Sequence, residues 1–189
     1  MARANAEKDK TQQAYYVNEA IKKYDLAIAK KTDFDAAYYG QAIAYEQLNN
    51  PDKAIDQLKQ AFILANTNLD YRFELGRLYF NRGVANPNIA QSASSDITTG
   101  QTADQNLSVA SGQTGNVANK NADITAAEQL FLSIIQANPN HANALYSLAL
   151  LYQKTGETDK ARLVIGNLLK ILTDQPSIDA VKKQFPGLY

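Results

Sequence analysis

The sequence predicts an all-α fold of antiparallel helix pairs, with one long polar insertion inside a pair. Three observations carry this. Apolar and small residues recur at helical spacing. The same residue classes return 34 and 107 positions later. Residues 84–123 contain no aromatic residue, although both flanks do.

Taken in chain order, residues 1–13 read as a helical extension, and Ala20, Tyr24 and Ala27 mark a helix after it. The stretch DAAYYGQAIAYEQLNNPDKAIDQLKQAFILAN holds the next helix pair. Asn50 can cap the second helix of that pair, with Pro51 at its first position, where a missing N–H costs nothing. Gly83 and Gly156 fall where a first helix of a pair is expected to end. Thr125 and Glu128 are spaced as a capping box opening AAEQLFLSIIQA, and Pro139 closes that helix. Ser177 can cap a last helix whose Ile178, Val181 and Phe185 share one face, a pattern suited to covering the open end of a repeat stack. The expected organisation is an extension over 1–13, helical repeats over 14–83 and 124–175, a disordered low-complexity insertion over 84–123, and a capping helix and tail over 176–189.

The repeat can be followed residue by residue. Ala42, Tyr45, Ala54, Leu58 and Ala61 become Ala149, Tyr152, Ala161, Ile165 and Leu168 on adding 107. Gly76 and Tyr79 follow Ala42 and Tyr45 by 34, and Ala127, Phe131 and Ile134 precede Ala161, Ile165 and Leu168 by 34. This spacing resembles the tetratricopeptide repeat, a helix–turn–helix unit of 34 residues. Small residues stand where the paired helices of that family cross, at Ala42, Gly76 and Ala149 and at Ala20, Ala54, Ala127 and Ala161 here. The resemblance covers residues 14–83 and 124–172. The chain departs from the pattern in having no Trp, and in placing Gln41 and Arg72 in slots that are usually apolar. The resemblance implies a solenoid, a right-handed superhelix of stacked helix pairs whose inner surface binds peptides.

The same register locates the polar tract. Gly156 precedes Ala161 by 5 residues, whereas Gly83 precedes its counterpart Ala127 by 44. The tract is therefore an insertion between the two helices of one repeat, and those helices are expected to pack together. Lengthening the loop costs roughly 2 kcal/mol of closure entropy. Burial of several large apolar side chains, at about 1.5–3 kcal/mol each, offsets that. The tract is rich in Ser, Thr, Asn, Gln, Gly and Ala, and cannot bury enough apolar surface to order itself.

Composition excludes several chemistries. Lys plus Arg and Asp plus Glu are 19 each. The balance is local as well: twelve basic against eleven acidic residues in 1–83, one against three in 84–123, and six against five in 124–189. No block is basic enough to gather phosphates, so nucleic-acid binding is not expected. The absence of cysteine removes disulfides, thiolate metal sites and thiol nucleophiles. His141, the one histidine, lies in a turn and reads as structural. No glycine-rich stretch has the Lys-Ser/Thr ending of a phosphate loop. No enzyme activity, cofactor, metal or small-molecule substrate is therefore expected.

The first helices carry the more informative pattern. Tyr39, Phe73 and Tyr146 occupy one slot in three repeats; Ile43, Arg77 and Leu150 lie one turn on, followed by Glu46, Phe80 and Gln153. The resemblance places these slots toward the inner surface. The candidate partner-binding groove is Tyr39, Ile43, Phe73, Arg77, Phe80, Tyr146 and Leu150. In the family, a clamp for C-terminal carboxylates needs Lys, Asn and Arg in such slots. Arg77 is the one cation among them, so the expected ligand is apolar or helical, with Arg77 selecting an acidic or carbonyl-bearing group. The competing reading is that these aromatics extend the core.

The chain thus reads as a non-catalytic protein-interaction scaffold that binds a peptide or helix in its groove, cytoplasmic by default. An alternative starts from residues 1–13, which lack the pattern of a first helix. On that reading the chain is the soluble C-terminal tail of a larger bacterial envelope or membrane protein, and is similar to repeat domains that follow glycan polymerases of the O-antigen ligase type. Any membrane contact would then lie in an upstream segment.

Overall fold

The structure, a computed structural model, describes residues 2–85 and 122–189, with side chains from residue 9 onward. The described residues form eight helices and no strand: α1 (Ala2–Lys30), α2 (Asp35–Gln47), α3 (Pro51–Leu64), α4 (Leu69–Ala85), α5 (Ala122–Ala137), α6 (Ala142–Thr155), α7 (Thr158–Ile171) and α8 (Gln175–Gln184). They belong to two compact units, Met1–Leu78 and Tyr79–Tyr189, with α4 contributing to both.

In the first unit α1 packs on α2, and α2 on α3. Small side chains at the crossing explain the close approach: Ala42, Ala54 and Ala61 are all buried to within 1%. Val17 and Ile21 of α1 and Ala44 of α2 form a second cluster, with Tyr45 and Leu48 packed against it. The two departures from apolar slots are both satisfied. Buried Gln41 donates from Nε2 to Asp25 at 2.6 Å, which removes the penalty for placing an amide there. Arg72 lies over the Phe62 ring at 5.5 Å and donates to the Asn66 carbonyl at 2.8 Å.

The tight turns of the repeats share one backbone device. After α2, Asn49 takes a left-handed φ of 54°; its N–H donates to the Glu46 carbonyl, and that of Asn50 to the Tyr45 carbonyl. After α6, 107 positions later, Gly156 takes φ 78°, and the N–H groups of Gly156 and Glu157 donate to Gln153 and Tyr152. Both are Schellman turns, in which Asn tolerates the conformation that Gly adopts freely. Asn50 then caps α3, accepting from the Lys53 N–H at 3.2 Å with Pro51 at the helix start.

The interrupted repeat differs. Gly83 occupies the slot of Asn49 and Gly156, yet α4 runs through it to Ala85. Gly83 therefore does not end the helix, because no immediate reversal demands a left-handed residue there. Likewise α5 is already helical at Ala122, so Thr125 and Glu128 lie inside it and form no capping box. Residues 84, 85, 122 and 123, expected in the insertion, are helical. The expectation of a disordered tract falls on residues 86–121, outside the described residues. What ties the two helices together is a buried ion pair. Asp123, fully buried, accepts from Arg82 Nε and Nη2, each at 2.7 Å. The same guanidinium lies over the Tyr79 ring at 5.5 Å. Asp123 occupies the repeat position of Asn50 and Glu157, so a slot used elsewhere to begin the return helix here anchors it to α4.

In the second unit α5 packs on α6, α6 on α7 and α7 on α8. Phe131, Ile134, Leu148, Leu151, Ile165 and Leu168 fill its core. Tyr152 carries the Lys160 ammonium over its ring at 5.2 Å, as its repeat counterpart Tyr45 carries Lys53 at 5.3 Å. Burial and the neighbouring Glu128 push the Tyr152 hydroxyl well above its usual range.

Helix α8 buries Val181 and, just past its end, Phe185. Its cap is Asp174 rather than Ser177: the Asp174 carboxylate accepts from the Ser177 N–H at 2.9 Å. Pro176 in the first turn lacks an N–H and fits ahead of Ser177, so the helix starts earlier than expected. That hydrogen bond holds the Asp174 carboxyl below its ordinary value. Truncation after Thr173 is expected to lower the Tm and promote self-association, since it uncovers the surface that Val181 and Phe185 occupy. An unchanged Tm in a thermal melt would show that α8 is a passive tail.

Candidate functional site

The seven candidate residues fall in both units, and each is half-buried, neither core nor fully exposed. Tyr39, Ile43, Phe73 and Arg77 lie in the first unit, on α2 and α4; Phe80, Tyr146 and Leu150 lie in the second.

In the first unit α2 and α4 meet through two arrangements that the sequence did not reveal. The Tyr39 ring stacks on Tyr71, centroids 4.9 Å apart and planes 27° from parallel. The Tyr71 hydroxyl donates to Asp35 Oδ2 at 3.0 Å. Burial and that carboxylate push the Tyr71 hydroxyl up to about 12. Burial, then Glu74 and Asp70, raise the Tyr39 hydroxyl as well. Two turns along α2, Arg77 donates to both carboxylate oxygens of Glu46 at 2.7 Å and to Glu74 at 2.7 Å. These bonds, Glu46 first, raise the Arg77 guanidinium above its already high value. Arg77 is thus the centre of a carboxylate–guanidinium–carboxylate bridge between α2 and α4, which engages all three of its nitrogens.

Beside this face an open groove of about 330 Å³ runs between α1 and α2, with Val17, Ala20, Tyr24, Tyr39, Gly40 and Ile43 among its walls. A second recess of about 540 Å³ shares Val17, Ala20 and Gln47 with it and extends along α1 to Asp9. Gly40 gives the groove its shape. A Cβ there would collide with the outer edge of the Tyr24 ring. Gly40→Ala is therefore expected to swing Tyr24 out and remodel the groove while leaving the helix intact. Unaltered Tyr24 ring shifts in an NMR spectrum of the variant would contradict this.

In the second unit Tyr146 meets the buried Phe185 edge-on, centroids 5.6 Å apart. Gln153 Nε2 donates to the Gln184 carbonyl at 3.4 Å. The chain's own last segment thus lies against this part of the expected groove.

Residues 118–185 match one family model described as tetratricopeptide repeat, and residues 36–62 match a second of the same description. The chain is a tetratricopeptide-repeat protein. Two crystal structures of MamA share its fold at 19% identity and a TM-score of 0.63 each. Both cover 96% of this chain, which spans 81% of one and 76% of the other. No curated protein sequence matches. These matches lend no support to the alternative of a tail following a glycan polymerase.

Tetratricopeptide repeats are protein-interaction scaffolds, and proteins built from them are generally non-catalytic. In this tetratricopeptide protein, His141 caps α6, its Nδ1 accepting from the Ala144 N–H at 3.1 Å. Among the described residues no group of three or more His, Cys, Asp or Glu could hold a metal ion, and no helix is long and apolar enough to cross a membrane. The residues missed by sequence reasoning are Asp35, Tyr71 and Glu74. Tyr71 sits 32 positions from Tyr39, two short of the period, so slot-matching passes over it. Glu46 was in the pattern, one turn beyond Ile43, and its opposite charge to Arg77 was the available signal.

Proposed function

We propose that this protein binds a peptide or helix of a partner protein on the face formed by α2 and α4, continuing into the groove between α1 and α2. The observation that carries the reading is the state of Tyr39 and Ile43. Both are half-buried and line an open apolar groove, although neighbouring Ala37, Ala42 and Ala44 are buried. Aromatic side chains that are rigid, partly desolvated and still accessible supply most of the energy in protein interfaces. Phe73 belongs to the same surface by repeat register, and Arg77 orders α2 against α4 rather than meeting the ligand as a free cation.

The test uses the full chain as bait. Ile43→Arg places a charge in the groove wall, and Leu163→Arg places one on α7, where Leu163 is 72% exposed. Partners captured by the parent protein should lose at least tenfold in affinity with Ile43→Arg, about 1.4 kcal/mol, and bind unchanged with Leu163→Arg. Equal capture by both variants would place the partner surface elsewhere.

A further inference from the structure

The groove between α1 and α2 and the face it opens onto differ sharply in chemistry. The groove wall is mainly apolar and aromatic, with Tyr16, Val17, Ala20, Tyr24 and Ile43 along it and Gln12, Gln13 and Gln47 as neutral polar neighbours. Beside Tyr39, the carboxylates of Glu46 and Glu74 share the one guanidinium of Arg77, and Asp70 precedes Tyr71 on α4. Asp35 lies at the neighbouring Tyr71 hydroxyl, and Asp9 lies at the far end of the groove. Arg77 is itself held by Glu46 and Glu74, so the uncompensated charge is that of carboxylates. This imbalance is local, because the whole chain carries equal numbers of acidic and basic side chains.

Half-buried Tyr39, stacked on the buried Tyr71, also brings the accessible part of an aromatic ring among these carboxylates. Elsewhere the protein covers such rings with its own cations: Lys53 over Tyr45 and Lys160 over Tyr152, at matching repeat positions, and Arg82 over Tyr79. Among the described residues no cation lies over Tyr39. An ammonium or guanidinium there would meet both the negative face of a ring and the surrounding carboxylates.

We propose that the partner segment is a basic amphipathic helix, its apolar side chains in the α1–α2 groove and a lysine or arginine against the accessible part of the Tyr39 ring. The proposal rests on the partner-binding reading above and names the chemistry of the partner. Charge complementarity selects this occupant: an acidic segment would be repelled, and a purely apolar one would leave the carboxylates without counter-charge. The walls run along α1 from Asp9 to Tyr24. At a rise of about 1.5 Å per residue that length suits a helix of about 15 residues.

Three synthetic helical peptides of about that length, sharing one leucine–alanine face and bearing Lys, Gln or Glu at the polar positions, provide the probe. Binding to the full chain is measured by calorimetry. The Lys peptide should bind at least tenfold more tightly than the Gln peptide, with the Glu peptide weakest, and added salt should narrow the gap. Asp70→Asn, an exposed position, and the Asp70→Asn/Glu74→Gln double variant should each reduce the Lys preference. Asp159→Asn on α7 should not. Equal binding of the Lys and Gln peptides, or a preference unaffected by the α4 variants, overturns the basic partner while leaving the groove as a binding surface. Binding of none of the three overturns both.

Discussion

Asp123→Ala is expected to destabilise the second unit by about 3–5 kcal/mol, because it removes a buried carboxylate that accepts two charge-assisted hydrogen bonds from the Arg82 guanidinium. Asp123 is fully buried and the Arg82 side chain is 15% exposed, so water cannot replace the lost carboxylate fully. The bidentate geometry makes the pair directional as well as charged. Changing both residues to apolar ones of similar size, Arg82→Met with Asp123→Leu, should recover much of the loss, since neither charge then remains buried alone. Urea denaturation of the single and double variants measures this. A loss below 1 kcal/mol for Asp123→Ala would show that the pair is not what fixes α5 against α4 across the insertion.

Truncating the aromatics should separate packing from binding. Tyr79 is 1% exposed and Tyr152 is 5% exposed, so Tyr79→Ala and Tyr152→Ala should each cost about 3–5 kcal/mol. Tyr39→Ala and Phe73→Ala remove half-buried rings and should cost less. For Tyr39 the loss includes the stack on Tyr71, a pair worth about 0.5–1.5 kcal/mol beyond burial. Tyr146→Ala should fall between the two groups, because Tyr146 also packs edge-on against Phe185. Partner affinity should follow the opposite order, with Tyr39→Ala weakening binding by at least 1–2 kcal/mol in a protein that remains folded. Equal destabilisation by Tyr39→Ala and Tyr79→Ala would assign Tyr39 to the core and remove it from the binding surface.

The repeat was legible because it is a matter of spacing. Apolar positions recurring at 34 and 107 located the helix pairs, and Asn50 with Pro51 marked the start of α3 as the structure has it. Local end signals were less dependable, for a common reason. Gly83, Thr125 and Ser177 each have the residue type of a helix boundary, yet each lies within a helix because a neighbour overrides it. The override at Ser177 is Asp174 with Pro176. At Gly83 and Thr125 the helices run on and are joined by Arg82 and Asp123, 41 residues apart in sequence, a separation no local pattern registers. The candidate face was half legible. Slot-matching found Tyr39 and Arg77, which occupy slots one turn apart on α2 and α4. It could not find their partners Tyr71, Asp35 and Glu74, which lie off the repeat register and meet them only once the helices pack. Arg77 is the instructive case. Read alone it looks like an anion selector, and its two carboxylate neighbours change its chemistry to that of a bridge.

The α2–α4 face and its adjoining groove are the proposed partner surface of this tetratricopeptide protein. Site-specific photo-crosslinking addresses it most directly. A benzophenone amino acid placed at Ile43, in the groove, is compared with one at Ile63, which is 63% exposed on α3. With the partner bound, covalent adducts are expected from position 43 and to be at least tenfold fewer from position 63. Adducts from position 63 with none from position 43 would place the partner on another surface.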